Sequence, residues 1–243
     1  GGNVLFAILL AVSLIGMMEL YRIIQVHNTL LGFLGYAAAI VFDLLIYFNK
    51  EKYDMMLIIG FFLLLLLFYV FLYPKYQLED VTIVYFGLFY VAVMLSFIYK
   101  VRMLSDGALL VWLIFIGAWG SDTSAYCVGM LIGKHKFLPG LSPKKSLEGC
   151  VGGVLGAALL GFIFASIFKN RINEVTNPQF AITVICAASS VISQLGDLAA
   201  SAIKRNHNIK DYGKLIPGHG GILDRFDSII FVAPVVYLLS SVL

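Results

Sequence analysis

Long apolar runs, broken by short polar stretches, set the pattern of this chain. They fall near residues 3–21, 30–48, 55–73, 81–99, 107–133, 149–168, 179–203 and 226–243. A helix needs about 20 apolar residues to cross the hydrocarbon layer of a bilayer. Backbone polar groups find no water there, so only helices or closed barrels can span. These runs far exceed the roughly ten-residue alternating strands of a membrane barrel. The pattern therefore predicts an all-α polytopic membrane bundle of about eight transmembrane helices, with seven to nine as the range.

Two runs are unusual. The 107–133 stretch is over-long for one straight crossing and carries Ser121, Asp122 and Thr123 in its middle. It is expected to be tilted, broken at Gly117 or Gly120, or divided into two short segments. The 179–203 stretch carries Gln194 and Asp197 before it reaches Lys204 and Arg205. Three regions follow: an N-terminal scaffold (1–99), a middle region with a basic loop (100–178) and a C-terminal region (179–243) that interleaves apolar runs with charge.

Composition agrees. Hydrophobic residues make up 60% of the 243 and charged residues 13%, against about 25% charged in soluble domains. A soluble enzyme, a disordered chain and a disulfide-stapled module are thereby excluded. Cys127, Cys150 and Cys186 lack CxxC or His spacing and read as buried small side chains. The net charge of +3 comes without a basic stripe interleaved with aromatics, so nucleic acid is not a partner. The sequence starts at Gly1, which leaves room for an earlier segment. Further spans follow the first run, which argues against a cleaved secretory signal.

Basic residues orient the chain. Eleven of the 17 Lys and Arg fall in the loops after odd-numbered spans. The positive-inside rule places those loops in the cytoplasm, provided 107–133 crosses once. In the front of the chain, Glu19 and Asp43 are carboxylates within apolar runs, read as snorkelling or hydrogen-bonded. The Leu/Phe-rich stretch 61–68 suits lipid contact.

The chemistry concentrates at the back. Eight charged residues fall within 201–227, beside membrane spans. Asp197, Ser201, Lys204 and Arg205 stand at i, i+4, i+7 and i+8, on one helical face. An ion pair between Asp197 and a nearby base is the plainer reading of that carboxylate. Lys210, Asp211 and Lys214 follow, then Pro217-Gly218-His219-Gly220-Gly221 at a helix start, where bare amides and the helix dipole favour an anion. Such a run can also be a simple turn. Asp224, Arg225 and Asp227 come next, with the two carboxylates at i and i+3. Carboxylates beside a glycine loop and several cations suggest Mg²⁺ bridging phosphates.

A third cluster is Ser142-Pro143-Lys144-Lys145-Ser146-Leu147-Glu148-Gly149, where Ser146 and Glu148 open a helix. Ordinary positive-inside flanking would look the same. Upstream, Asp122 and Tyr126 stand at i and i+4 inside a span, and an intramembrane Asp is a functional candidate by default. The whole is equipment for phosphoryl or nucleotidyl transfer at a bilayer, with a lipid phosphate or lipid alcohol as one substrate.

These residues resemble the CTP:phosphatidate cytidylyltransferases. That family's signature is met at Ser201, Lys204, Arg205, Lys210, Asp211, His219, Gly220, Gly221, Asp224, Arg225 and Asp227. The Ser142–Gly149 loop and the Asp122-Thr123…Tyr126 segment also resemble family elements. The match covers about 118–227, and the first hundred residues match only as hydrophobic spans. The resemblance implies that CTP and phosphatidic acid become CDP-diacylglycerol and pyrophosphate at the bacterial inner membrane, with the site facing the cytoplasm.

It further implies Mg²⁺ on Asp197 and Asp224 with support from Asp227, and phosphate neutralisation by Lys204, Arg205, Lys210 and Arg225. Lys144 and Lys145 would hold the CTP triphosphate or the lipid phosphate, with Asp122, Ser142, Ser146, Glu148, Ser201, Gly220 and Gly221 also at the substrates. His219 would donate to a phosphate oxygen, and a homodimer is expected. Two rivals are a CTP-dependent polyprenol or lipid-alcohol kinase, which would release CDP, and a cation-coupled transporter using Asp122 and Asp197.

Overall fold

The computed structural model describes residues 2–172, 177–215, 217–218 and 220–242. Among them, eight helices are long and apolar enough to cross a membrane, and no strand occurs. They are α1 (Gly2–Arg22), α2 (Leu30–Tyr47), α3 (Asp54–Phe71), α4 (Leu78–Met103), α5 (Gly107–Ile132), α6 (Leu147–Phe168), α7 (Pro178–Asn206) and α8 (Leu223–Val242). The all-α polytopic fold expected from the apolar pattern is the fold observed.

The over-long fifth run is one continuous helix of 26 residues. It is neither broken nor split. Instead, Ile116–Gly120 winds as a π-helical turn, directly before Ser121 and Asp122. Such turns widen the helix locally and are frequent at functional sites. A second one, Leu88–Val93, lies within α4.

Local chemistry explains several helix starts. Thr29 caps α2 by accepting the Gly32 amide at 3.3 Å. At α4 the Gln77 amide donates to Asp80 Oδ2 at 2.8 Å, one half of a capping box. Ser146 caps α6, accepting from Gly149 N at 3.2 Å. Pro178 opens α7, where a missing N–H costs nothing.

The chain forms two compact units, residues 1–99 with 211–224, and residues 100–210 with 225–243. The first is centred on Met17, Leu20, Tyr21, Leu31, Leu65 and Leu88, all fully buried. The Tyr21 hydroxyl donates to Val84 O at 2.8 Å. Its ring lies where side chains at Gly35 and Gly87 would otherwise stand. Asp43 does not snorkel: it is 6% exposed and borders a small void with Ser13, Ser96 and Tyr99. On α3 only Phe61 and Leu65 are buried, which leaves the rest of that helix for lipid.

In the second unit α6 packs between α5 and α7 through small residues. Gly149, Gly153, Ala157, Gly161 and Ala165, spaced by four, are all buried. A Cβ at Gly161 would come 2.7 Å from Cys186 Sγ, and one at Gly152 would come 2.5 Å from Val128 Cβ. Lipid-embedded helices gain little from hydrophobicity and associate instead by such close backbone approach. The bulk of α6 points the other way, with Val151, Leu155, Leu159 and Ile167 exposed.

Candidate active site

In the second unit the basic loop between α5 and α6 is tied at its base. Leu147 N donates to His135 O and Phe137 N to Lys145 O, both at 2.9 Å. Glu148 accepts from the amides of Lys134 and His135 and from His135 Nδ1. Within the loop, Ser142 N and Lys145 N close further turns onto Leu138 O and Ser142 O. Glu148 thus secures the loop, and Ser146 combines its cap with a place in the wall of the cleft below.

The loop presents Lys145 inward. Its ammonium lies 2.7 Å from Asp197 Oδ2 and 3.3 Å from Gln194 O. Asp197 therefore is ion-paired, but with a base 52 positions away and not with Lys204 or Arg205 on its own helix. The pair sits in a cleft of about 540 Å³, lined also by Asp122, Tyr126, Lys136, Ser142, Lys144 and Ser146. That size is within the ~300–1,000 Å³ typical of ligand pockets.

The site is also acidic. Asp122, Asp197 and Asp227 lie close enough for their charges to act on one another, opposed by Lys145 and Lys204. Asp227 Oδ1 also accepts from Ser228 N at 2.8 Å. Like charges gathered in this way would be relieved by a bound cation. Among the described residues, no group of three or more His, Cys, Asp or Glu closes into a metal cage. Magnesium needs no such cage, because one or two carboxylates with phosphate oxygens and waters suffice. The donor set therefore suits it.

Ser201 and Lys204 continue the Asp197 face of α7 and are half-buried, while Arg205, Lys210 and Arg225 are exposed. None of these five lines the cleft. Other residues of α5 and α6 line an apolar groove of about 760 Å³. Cys127 lines it and is exposed, so of the three cysteines only Cys186 is fully buried.

In the first unit the glycine-rich segment has its own geometry. Gly218 and Gly220 adopt φ of +76° and +83°, which glycine alone takes without strain. Asp224 Oδ2 accepts from Gly221 N at 3.0 Å and from Tyr212 N at 2.8 Å. Glu19 accepts from Ile222 N at 3.1 Å and Leu223 N at 2.8 Å. The anions at this helix start are the protein's own carboxylates, where the sequence pattern suggested phosphate. Asp211 is exposed. His219 lies outside the described residues.

Sequence reasoning underrated three residues. Lys136, one of the eleven basic residues in the loops after odd-numbered spans, lines the cleft. Gln194 was visible as a polar residue in a span, and its Nε2 donates to Cys150 O at 3.0 Å. Glu19 was visible in the same way.

A model of the cytidylyltransferase family matches residues 1–243. A phosphatidate cytidylyltransferase of Bacillus subtilis (strain 168) is 36% identical over 195 residues, covering 79% of this chain and 71% of that protein. One from Thermotoga maritima is 36% identical over 175 residues, covering 70% and 63%. One from Staphylococcus haemolyticus is 34% identical over 165 residues, covering 68% and 61%. The match thus spans under two thirds of the length of the last two.

Proposed function

The chain belongs to the cytidylyltransferase family, and from that premise we propose that it joins CTP to phosphatidic acid. The products are CDP-diacylglycerol, for phospholipid synthesis, and pyrophosphate. One observation carries the reading: a tied basic loop brings Lys145 to Asp197 in a cleft that also holds Lys136 and Lys144, within membrane-spanning helices. Relatives named phosphatidate cytidylyltransferase point the same way.

In this reaction a phosphate oxygen of the lipid attacks the α-phosphorus of CTP. A new P–O–P bond forms, the bond to the β-phosphate oxygen breaks, and pyrophosphate leaves with the electron pair. A phosphate monoester has its second pKa near 6, so it is largely ionised at neutral pH and needs no strong base. The barrier lies in bringing two polyanions together, which calls for positioning and charge neutralisation.

Lys136, Lys144 and Lys145 neutralise phosphates at the cleft, with Ser142 and Ser146 as hydroxyl partners. Lys204, Arg205, Lys210 and Arg225 act on phosphates in the same sense, and His219 donates to a phosphate oxygen. Lys145 exchanges its hold on Asp197 for substrate phosphate as the site fills. The candidate carboxylates for Mg²⁺ are Asp197, Asp224 and Asp227. When bound, the metal supplies orientation and charge neutralisation of the phosphates.

The same reading places the protein in a bacterial cytoplasmic membrane, as a homodimer, with the cleft facing the cytoplasm. Purified protein given CTP and phosphatidic acid should release pyrophosphate and CDP-diacylglycerol. Release of CDP would favour the lipid kinase instead, and no turnover of CTP in detergent would overturn the enzyme reading.

A further inference from the structure

Glu19 stands in the last turn of α1, far in sequence from every signature residue, and is only 2% exposed. An ionised carboxylate there is costly unless its oxygens are satisfied. Both oxygens find donors. Oε1 takes the amide of Ile222 and Oε2 the amide of Leu223, at the first turn of α8. The helix dipole favours a negative charge at that place. The next carboxylate, Asp224, turns Oδ2 back onto Gly221 N and Tyr212 N. Two carboxylates thus hold four amides of one segment.

The fit is steric as well. A Cβ at Gly213 or at Gly221 would fall on Glu19 Oε1, and one at Gly220 would come 2.9 Å from Asp224 Oδ2. Gly213 and Gly221 make room for the Glu19 carboxyl, which passes between two stretches of the 211–224 segment. Gly221 belongs to the signature, and this contact gives a physical reason for glycine there.

We propose that Glu19 is a positioning residue for the nucleotidyl transfer, acting through Asp224. Its carboxylate holds residues 221–223 in place beside Gly213 and thereby sets the direction in which the Asp224 carboxyl is presented. The proposal rests on the functional reading above, in which Asp224 is a candidate Mg²⁺ ligand. Partners that orient a metal-ligating carboxylate commonly matter by about 10–100-fold in metal affinity or activity.

The test compares wild type with E19Q and E19A, purified in detergent and sorted for folded monodisperse protein. Glutamine keeps the size but turns an NH₂ toward one of the two amides. Kinetics are read against CTP and Mg²⁺, and hydrogen–deuterium exchange is read for peptides covering 211–223 without substrate. The expected result for E19Q is a fall in kcat of about 10–100-fold, an unchanged KM for CTP, a raised half-saturating Mg²⁺ and faster exchange confined to 211–223.

Wild-type exchange in 211–223, or folded E19Q with wild-type kcat and Mg²⁺ dependence, overturns the proposal. So does a loss of activity that follows only the folded fraction. If the wild type itself makes no CDP-diacylglycerol, the functional reading falls, and with it the catalytic part of this proposal. The exchange data then still decide whether Glu19 holds the segment.

Discussion

Lys145 Nζ lies 2.7 Å from Asp197 Oδ2, joining the loop before α6 to the C-terminal half of α7 across 52 positions of sequence. The lysine side chain is 16% exposed and the aspartate 36%. Both line the cleft, and neither is sealed from solvent.

Replacing Lys145 by Ala should lower turnover by about 10²–10³-fold, the usual loss when one preorganised charge-stabilising group is removed. Because the two residues share one interaction, the K145A/D197N double variant should lose less than the two single losses combined. Initial rates for the four proteins in this cycle check it.

Removing divalent metal with EDTA should abolish CDP-diacylglycerol formation, and added Mg²⁺ should restore it. The thermal midpoint should stay put, because the helices pack without a metal cage among the described residues. A large shift in the midpoint on chelation would instead assign the metal a structural role.

The inner face of α6 should not tolerate bulk. Gly161→Val drives side-chain atoms into Cys186 Sγ, which stands only 2.7 Å from where a Cβ would lie, and toward Ile182 O at 3.1 Å. Overpacking of this kind costs about 1–3 kcal/mol. Leu159→Ala, on the outward face at 60% exposure, should stay within about 0.5 kcal/mol. Thermal unfolding in detergent compares the two.

Orientation can be read with single cysteines in a background lacking Cys127, Cys150 and Cys186. Ser142→Cys lies before α6 and Arg171→Cys after it. If α5 crosses once and the positive-inside rule holds, an impermeant thiol reagent labels position 142 from the cytoplasmic face and position 171 from the other. Labelling of both from one face would remove one crossing.

Much of the fold was legible because helix length and hydropathy are local properties. The eight runs became eight spans, and where a break at Gly117 or Gly120 was one expectation, the helix runs on through a π-helical turn. The Asp197–Lys204 face was legible from its 3.6-residue period. The pairing of Asp197 with Lys145 was not, since periodicity says nothing about which loop folds over a helix. Lys136 was hidden for the same reason. Glu19 reads as a lone carboxylate in an apolar run, and only the packed structure brings the amides of residues 222 and 223 to it.

Tyr21 donates its hydroxyl to Val84 O while its ring fills the space beside Gly35 and Gly87. None of the three positions can drift alone: a methyl at 35 or 87 strikes the ring, and a smaller residue at 21 leaves a hole lined by two bare backbones. Among natural homologues these sites should therefore covary, with aromatic-plus-two-glycines and small-plus-two-alanines as the alternative solutions.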